Sequence, residues 1–98
     1  MKRLLNEIKI ELVQSFKNGE LIDYISESAI EMKKDANGDL EEIIFGNGGP
    51  YVYLDFVERA GVICGYKSFI DEGSFSAIPL ETWKAMRDEL EDILGEIK

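Results

Sequence analysis

The chain contains no histidine, and this absence removes several kinds of chemistry at once. Histidine is the usual base that activates a serine or cysteine nucleophile, and it is the commonest metal ligand in proteins. The chain also has a single cysteine, Cys64, so no internal disulfide can form and no oxidising compartment is indicated. Cys64 lies between Ile63 and Gly65 in a predicted strand, where a small buried thiol is the expected role. We therefore expect no catalytic residues, no metal site and no cofactor.

Long hydrophobic runs are missing as well. The N-terminus begins like a signal peptide, with Lys2 and Arg3, but no unbroken apolar segment follows. No run approaches the roughly 18 apolar residues that a membrane span needs. With 98 residues, of which 45% are hydrophobic, the chain predicts one α+β domain over residues 1–98, located in the cytoplasm.

Basic residues are scarce, because 11 lysines and arginines stand against 20 aspartates and glutamates, a net charge of −9. The excess is concentrated in residues 20–42, which hold eight acids and two bases, whereas residues 1–19 have a local charge of +2. An acidic field repels nucleic acid and anionic membranes and favours partners of the opposite sign. We therefore expect no direct binding to nucleic acid or to a membrane, and a basic protein as the partner.

Apolar periodicity predicts three helices. Residues 2–17 repeat apolar side chains at three- and four-residue spacing, which is typical of an amphipathic helix, and Asn18-Gly19 suits its end. Residues 20–34 fit both helix and strand, and we predict a short helix over about 20–27 and a strand over about 28–34. Pro79 suits the first turn of a C-terminal helix. The apolar face of that helix carries Trp83, Met86, Leu90, Ile93 or Leu94, and Ile97.

The middle of the chain predicts antiparallel strands. Asn37-Gly38 predicts a two-residue hairpin turn, because this dipeptide tolerates positive φ angles. The strands are predicted over residues 28–34, 40–45, 51–57, 62–69 and, as a short edge strand, 74–78. The predicted fold is an N-terminal helix with a short second helix, a three- to four-stranded antiparallel sheet and a C-terminal helix, with the helices on one sheet face.

The strand over residues 51–57 alternates in polarity. Alternation places Tyr51, Tyr53 and Asp55 on one face and three apolar side chains on the other, which the helices are expected to cover. The two tyrosines and the carboxylate would then point to solvent, with Lys67 joining them from the next strand. Tyrosine is common where proteins meet, because its ring offers rigid contact area with a polar tip. The alternatives are a solvated sheet face or tyrosines folded over the sheet edge.

Glycines flank this strand in a recognisable pattern. Gly48-Gly49-Pro50 leads into it, and Gly65-Tyr66 closes the following strand. The pattern covers roughly residues 28–67 and resembles one in small uncharacterised bacterial and prophage proteins, in which tryptophan often follows the Gly-Tyr pair where Lys67 stands here. This resemblance implies no function. In size and charge the chain is also similar to phage anti-defence proteins, such as anti-CRISPR proteins, and to bacterial immunity proteins.

These features predict a non-enzymatic acidic protein-binding module. Its most specific form is an inhibitor of a basic nucleic-acid-binding protein, of the anti-CRISPR, anti-restriction or nuclease-immunity type, whose phosphate-binding groove would take the carboxylates. The alternative is a structural or assembly protein of phage or mobile-element origin that self-associates through the N-terminal helix, giving a homodimer. The predicted partner-binding residues are Glu27, Glu31, Asp35, Asp39, Glu41, Glu42, Tyr51, Tyr53 and Asp55.

Overall fold

A computed structural model describes residues 2–47, 51–66 and 73–94. Its elements are α1 (Lys2–Lys17), α2 (Leu21–Ser28), β1 (Glu31–Lys34), β2 (Leu40–Asn47), β3 (Tyr51–Asp55), β4 (Val62–Tyr66), β5 (Ser74–Ala77) and α3 (Leu80–Leu94). The strands form one antiparallel sheet in chain order, so β1 and β5 are its edges. The α+β prediction is confirmed, but the sheet has five strands instead of three or four, because both short edge strands take part.

Helix α1 covers the predicted residues and ends where Gly19 adopts a positive φ of 73°. Leu5 and Leu12 on its apolar face are fully buried. The phenol of Tyr24 on α2 donates a hydrogen bond of 2.8 Å to the carboxylate of Glu11, which joins the two helices. Burial, followed by the bond to Glu11, raises the pKa of Tyr24. Helix α2 continues to residue 28, so the following strand begins at residue 31 instead of 28.

The loop between β1 and β2 is longer than the predicted two-residue turn. The amide of Asp35 donates to the carbonyl of Asp39 at 2.9 Å, and the amide of Gly38 donates to the carbonyl of Asp35 at 3.0 Å. Gly38 has φ of 88°, whereas no described non-glycine residue, Asn37 included, has a positive φ. The Asp35 carboxylate accepts the amides of both Asn37 and Asp39. These two bonds favour a loop with one left-handed glycine over a turn that needs two left-handed residues.

The helices pack on one face of the sheet, as predicted. Every second side chain of β3 enters the core, and Trp83, Met86 and Leu90 of α3 meet them there. Of the remaining residues on that predicted face, residue 97 lies outside the described residues, and residues 93 and 94 are described only as part of helix α3. The buried apolar residues of this main core are Leu5, Leu12, Leu21, Ile25, Leu40, Ile43, Val52, Leu54, Ile63, Ile78, Trp83, Met86 and Leu90.

The ends of the elements around β3 and β4 differ from the predicted ones. β3 ends at Asp55, two residues before the predicted end. β4 is described to Tyr66, and the predicted strand residues 67–69 lie outside the described part of the chain. Residues 48–50 lie outside it as well. Helix α3 begins at Leu80, directly after Pro79, whose carbonyl accepts the amide of Trp83 at 2.8 Å. None of the helices described is long and apolar enough to cross a membrane.

Candidate functional site

The sheet face that points away from the helices carries aromatic side chains, and we call it the open face. In the strand register, Tyr53 of β3 lies opposite Ile44 of β2 and Cys64 of β4. Cys64 in turn lies opposite Phe75 of β5, and Tyr51 lies opposite Tyr66. Because directly opposed residues share a face, these side chains cluster on the side of the sheet opposite the main core.

The open face has a small apolar layer of its own. Ile44 and Cys64 are 1% and 0% exposed, although neither belongs to the main core. The Tyr53 and Tyr66 rings stack with centroids 6.3 Å apart, and Phe75 meets Tyr66 edge-on at 6.0 Å. The tyrosines are therefore half-buried. They cover Ile44 and Cys64 instead of standing free in solvent.

Tyr51, Tyr53 and Cys64 of this face are held in their neutral forms. Burial, the hydrogen bond to Glu42, and the charges of Glu42 and Glu31 raise the pKa of Tyr51 to about 12. Burial, followed by the neighbouring Cys64, raises the pKa of Tyr53. Burial also raises the pKa of the Cys64 thiol. A buried neutral thiol is a poor nucleophile, so these groups are suited to packing and contact.

Tyr51 joins the aromatic cluster to the acidic residues of β2. Its phenol donates a hydrogen bond of 2.8 Å to the carboxylate of Glu42. Lys33 of β1 lies opposite Glu42 in the register, and its ammonium group is 6.0 Å from the Tyr51 ring centroid. Asp55 of β3 lies opposite Glu42 on the other side. One row of charges thus crosses three strands of the open face, with the tyrosines beside it.

An acidic cleft of about 240 Å³ opens beside this row, between β2 and the β3–β4 turn. Four of its six lining residues are carboxylates, and none of the six is basic. The lining therefore gives the cleft a negative potential, which favours a cationic group over an anionic one. The acidic cleft is lined by Glu41, Glu42, Tyr53, Asp55, Val57 and Glu58.

Asp55 differs from the sequence expectation, because it is only 8% exposed. Its Oδ1 accepts the amide of Val57 at 2.9 Å, and its Oδ2 accepts the amide of Arg59 at 3.1 Å. Its carbonyl also accepts the amide of Gly61 at 2.9 Å. Asp55 therefore shapes the β3–β4 turn and ends β3 early, and it is not the solvent-facing contact that strand alternation predicts.

The structure separates the nine predicted partner-binding residues. Glu41, Glu42, Tyr53 and Asp55 line the acidic cleft, and Tyr51 adjoins it through its bond to Glu42. The others do not line it. Glu27 is exposed on α2, Glu31 begins β1 near Tyr51, and Asp35 and Asp39 lie in the β1–β2 loop.

The sequence reasoning did not identify two features of this site. Glu58 lies in the β3–β4 turn, and strand alternation says nothing about the direction of a turn residue. Tyr66 and Phe75 could have been found by carrying the alternation of β3 across the next two strands, since antiparallel partners share a face. Lys67, which we expected beside the tyrosines, lies outside the described residues.

Comparison with protein-family models, with curated proteins and with solved structures returns no significant match. Within residues 2–47, 51–66 and 73–94, no group of three or more Asp, Glu, Cys or His side chains could hold a metal ion. The open face and the acidic cleft are therefore the features that indicate a function.

Proposed function

We propose that this protein is a non-enzymatic, cytoplasmic module that binds a basic protein through the acidic cleft and the tyrosines beside it. In its most specific form it inhibits a nucleic-acid-binding protein, in the manner of an anti-CRISPR, anti-restriction or nuclease-immunity protein. The observation that carries the proposal is the grouping of Glu41, Glu42, Asp55 and Glu58 around one cleft.

The size of the cleft favours a side chain of a protein over a metabolite. Its volume of about 240 Å³ is below the roughly 300 Å³ at which pockets for small molecules begin. An arginine fits this lining chemically, because its planar guanidinium pairs with carboxylates through two parallel hydrogen bonds. The half-buried ring of Tyr53 adds an aromatic wall, against which a guanidinium also packs well.

The net charge supports the same kind of partner. A chain of −9 is attracted over long range to a positively charged groove, and this attraction accelerates association at low salt. Such a groove normally binds phosphates, so the carboxylates of this protein would compete with nucleic acid for the same basic residues. Inhibition follows from this occupancy and requires no catalytic step.

The alternative of self-association through α1 has less support. Leu5 and Leu12 are fully buried within the chain, and Ile8 packs against the same core. Leu4 and Ile10 are the large apolar residues of α1 that remain exposed, and they are separated by six positions. We retain this alternative, which predicts a dimer that changes in α1 weaken and changes elsewhere do not.

The proposal is tested by pull-down from nuclease-treated host lysate at about 50 mM and about 500 mM salt, with mass spectrometry of the captured proteins. Wild type is compared with the double variant Glu41→Lys, Glu58→Lys. The matched control is Glu81→Lys, Asp88→Lys, which changes two exposed acids of α3 and alters the net charge equally. We expect a basic partner that is lost at high salt and is lost from the cleft variant but not from the control.

Direct titration of the purified partner then measures the effect. Each lost contact between opposite charges at such an interface costs about 1.5 kcal/mol or more, so the cleft variant should bind at least tenfold more weakly. Competition with the partner's nucleic acid tests inhibition in the same samples. Equal loss of partner binding in both double variants would mean that the net charge alone attracts the partner. Capture of only a salt-resistant apolar partner would contradict the proposal.

A further inference from the structure

Strand β1 is an open edge of the sheet. Among the described residues, β2 is the only strand that pairs with it, so its outer backbone groups face away from the sheet. Ile30 and Met32 are 57% and 38% exposed there, and they border a groove of about 250 Å³ between α2 and β1. Ile25 and Ala29 form the inner wall of this groove. Exposed apolar side chains on an open edge are features that favour addition of another strand.

The pairing with β2 determines which backbone groups β1 presents outward. The amide of Asp35, the residue after β1, donates to the carbonyl of Asp39 at 2.9 Å, so Asp35 faces β2. In an antiparallel sheet, successive residues direct their amide and carbonyl to opposite neighbours. Lys33 and Glu31 therefore also face β2, and Met32 presents its amide and carbonyl to the outer edge.

These outward groups restrict how a second copy can pair. In an antiparallel pair, outward residues lie opposite outward residues, and the residues between them lie opposite each other. Three registers centred on β1 are therefore open. Two of them place Glu31 opposite Glu31, or Lys33 opposite Lys33, and like charges directly opposite are destabilising. The third places Glu31 of each copy opposite Lys33 of the other. In this register the two Met32 side chains meet on the two-fold axis.

We propose that two copies of this chain associate through β1 in this third register, which joins their sheets into one. The contact makes two backbone hydrogen bonds between the Met32 residues of the two copies, pairs Glu31 with Lys33 twice and brings the two Met32 side chains together next to the grooves. This strand is short and each copy carries −9, so the dimer should form in a concentration-dependent way. The inference is independent of the acidic cleft.

Charge exchange on β1 tests the pairing by sedimentation from micromolar to millimolar protein. Lys33→Glu places like charges opposite each other twice, so it should weaken dimerisation about tenfold. The double variant Glu31→Lys, Lys33→Glu restores opposite pairs and should restore the dimer. The control is Lys84→Glu, on the exposed side of α3, which changes the net charge by the same amount as Lys33→Glu. Both variants add the same overall repulsion between two copies, and Lys84→Glu should weaken the dimer only by that amount. A wild type that stays monomeric throughout would overturn the proposal.

Cross-linking tests the register itself. A hydrogen-bonded pair across an antiparallel sheet has Cα atoms about 5.5 Å apart, which is within reach of a disulfide. Met32→Cys should therefore form a covalent dimer under mild oxidation. Ile30→Cys is the matched control, because Ile30 is more exposed than Met32 but would lie about 13 Å from its copy. The native Cys64 is fully buried and does not interfere. Equal cross-linking of both variants, or a dimer that Lys33→Glu leaves unchanged, would assign the contact to another surface.

Discussion

Replacement of Asp55 tests whether this carboxylate stabilises the β3–β4 turn or is strained by its acidic neighbours. Asp55→Ala removes two hydrogen bonds from backbone amides to an ionised acceptor, each worth about 1.5–3 kcal/mol. Val57 is 63% exposed, so water can solvate its freed amide and reduce the loss. We expect a net cost of about 2–3 kcal/mol, which is a large part of the roughly 5–15 kcal/mol that stabilises a domain.

The opposing effect is relief of repulsion within the acidic cleft. Removing one of four neighbouring carboxylates in a solvated cleft gains about 0.2–1 kcal/mol, so loss of the hydrogen bonds should dominate. Asp55→Asn keeps one acceptor oxygen and removes the charge, so it should cost about 1–2 kcal/mol. Glu58→Gln is the matched control, because it removes a cleft charge from an exposed side chain and should change stability by less than about 0.5 kcal/mol.

The assay is urea unfolding followed by the fluorescence of Trp83, the single tryptophan of the chain. Trp83 is 2% exposed and packs edge-on against Phe56, with ring centroids 5.1 Å apart. Phe56 directly follows Asp55 in the chain. Unfolding of this region therefore changes the signal. An Asp55→Asn protein as stable as wild type, or more stable, would refute the reasoning, because repulsion would then outweigh the turn hydrogen bonds.

Three further predictions concern the packing around this turn and the open face. Gly61→Ala should destabilise the fold by about 2 kcal/mol or more, since Gly61 has φ of 84° and an added Cβ would lie 2.6 Å from Trp83; urea unfolding measures this. The pKa of Tyr51 is raised to about 12, so the neutral phenol stabilises the fold below about pH 10, and this stabilisation is lost as the pH rises toward 12. Tyr51→Phe, which leaves Glu42 without its hydrogen-bond donor, should remove the titration step of Tyr51 from an ultraviolet pH titration. Cys64 should react with thiol reagents only on unfolding, because it is buried and its pKa is raised, and rapid labelling of the native protein would contradict this.

How far the sequence predicted the fold depended on the length of each pattern. α1 was predicted to the residue, because four turns of regular apolar spacing leave one phase for a helix. The boundary between α2 and β1 was displaced, since a few residues around Ala29 satisfy both periods and the last turn of α2 is decided by packing. The short strands β1 and β5, four residues each, were the reason that the strand count was uncertain.

The site was harder to predict than the fold, because side-chain hydrogen bonds determine it. Alternation assigns Asp55 to the correct face, but its burial comes from amides that follow it in the turn. The Asn37-Gly38 dipeptide indicates a turn, whereas the carboxylate of Asp35 determines the length of the loop. The local acidity of residues 20–42 similarly does not show that Glu58, outside that segment, lines the cleft with Glu41 and Glu42.

The two proposals use separate parts of the sheet, the β1 edge and the acidic cleft, and this separation has a consequence for binding. Pairing through β1 would engage Glu31 with Lys33 of the second copy and leave the acidic cleft on each copy accessible, because none of its lining residues belongs to β1. A dimer would therefore present two clefts on one continuous sheet. A partner with two basic sites at the matching distance would then gain avidity without a new contact, whereas a partner with one site would not. The charge-exchanged double variant and Lys33→Glu both place a new acid opposite Glu42 of the cleft, so the difference between them reports the dimer alone. Lys33→Glu should bind more weakly than the double variant only for a two-site partner.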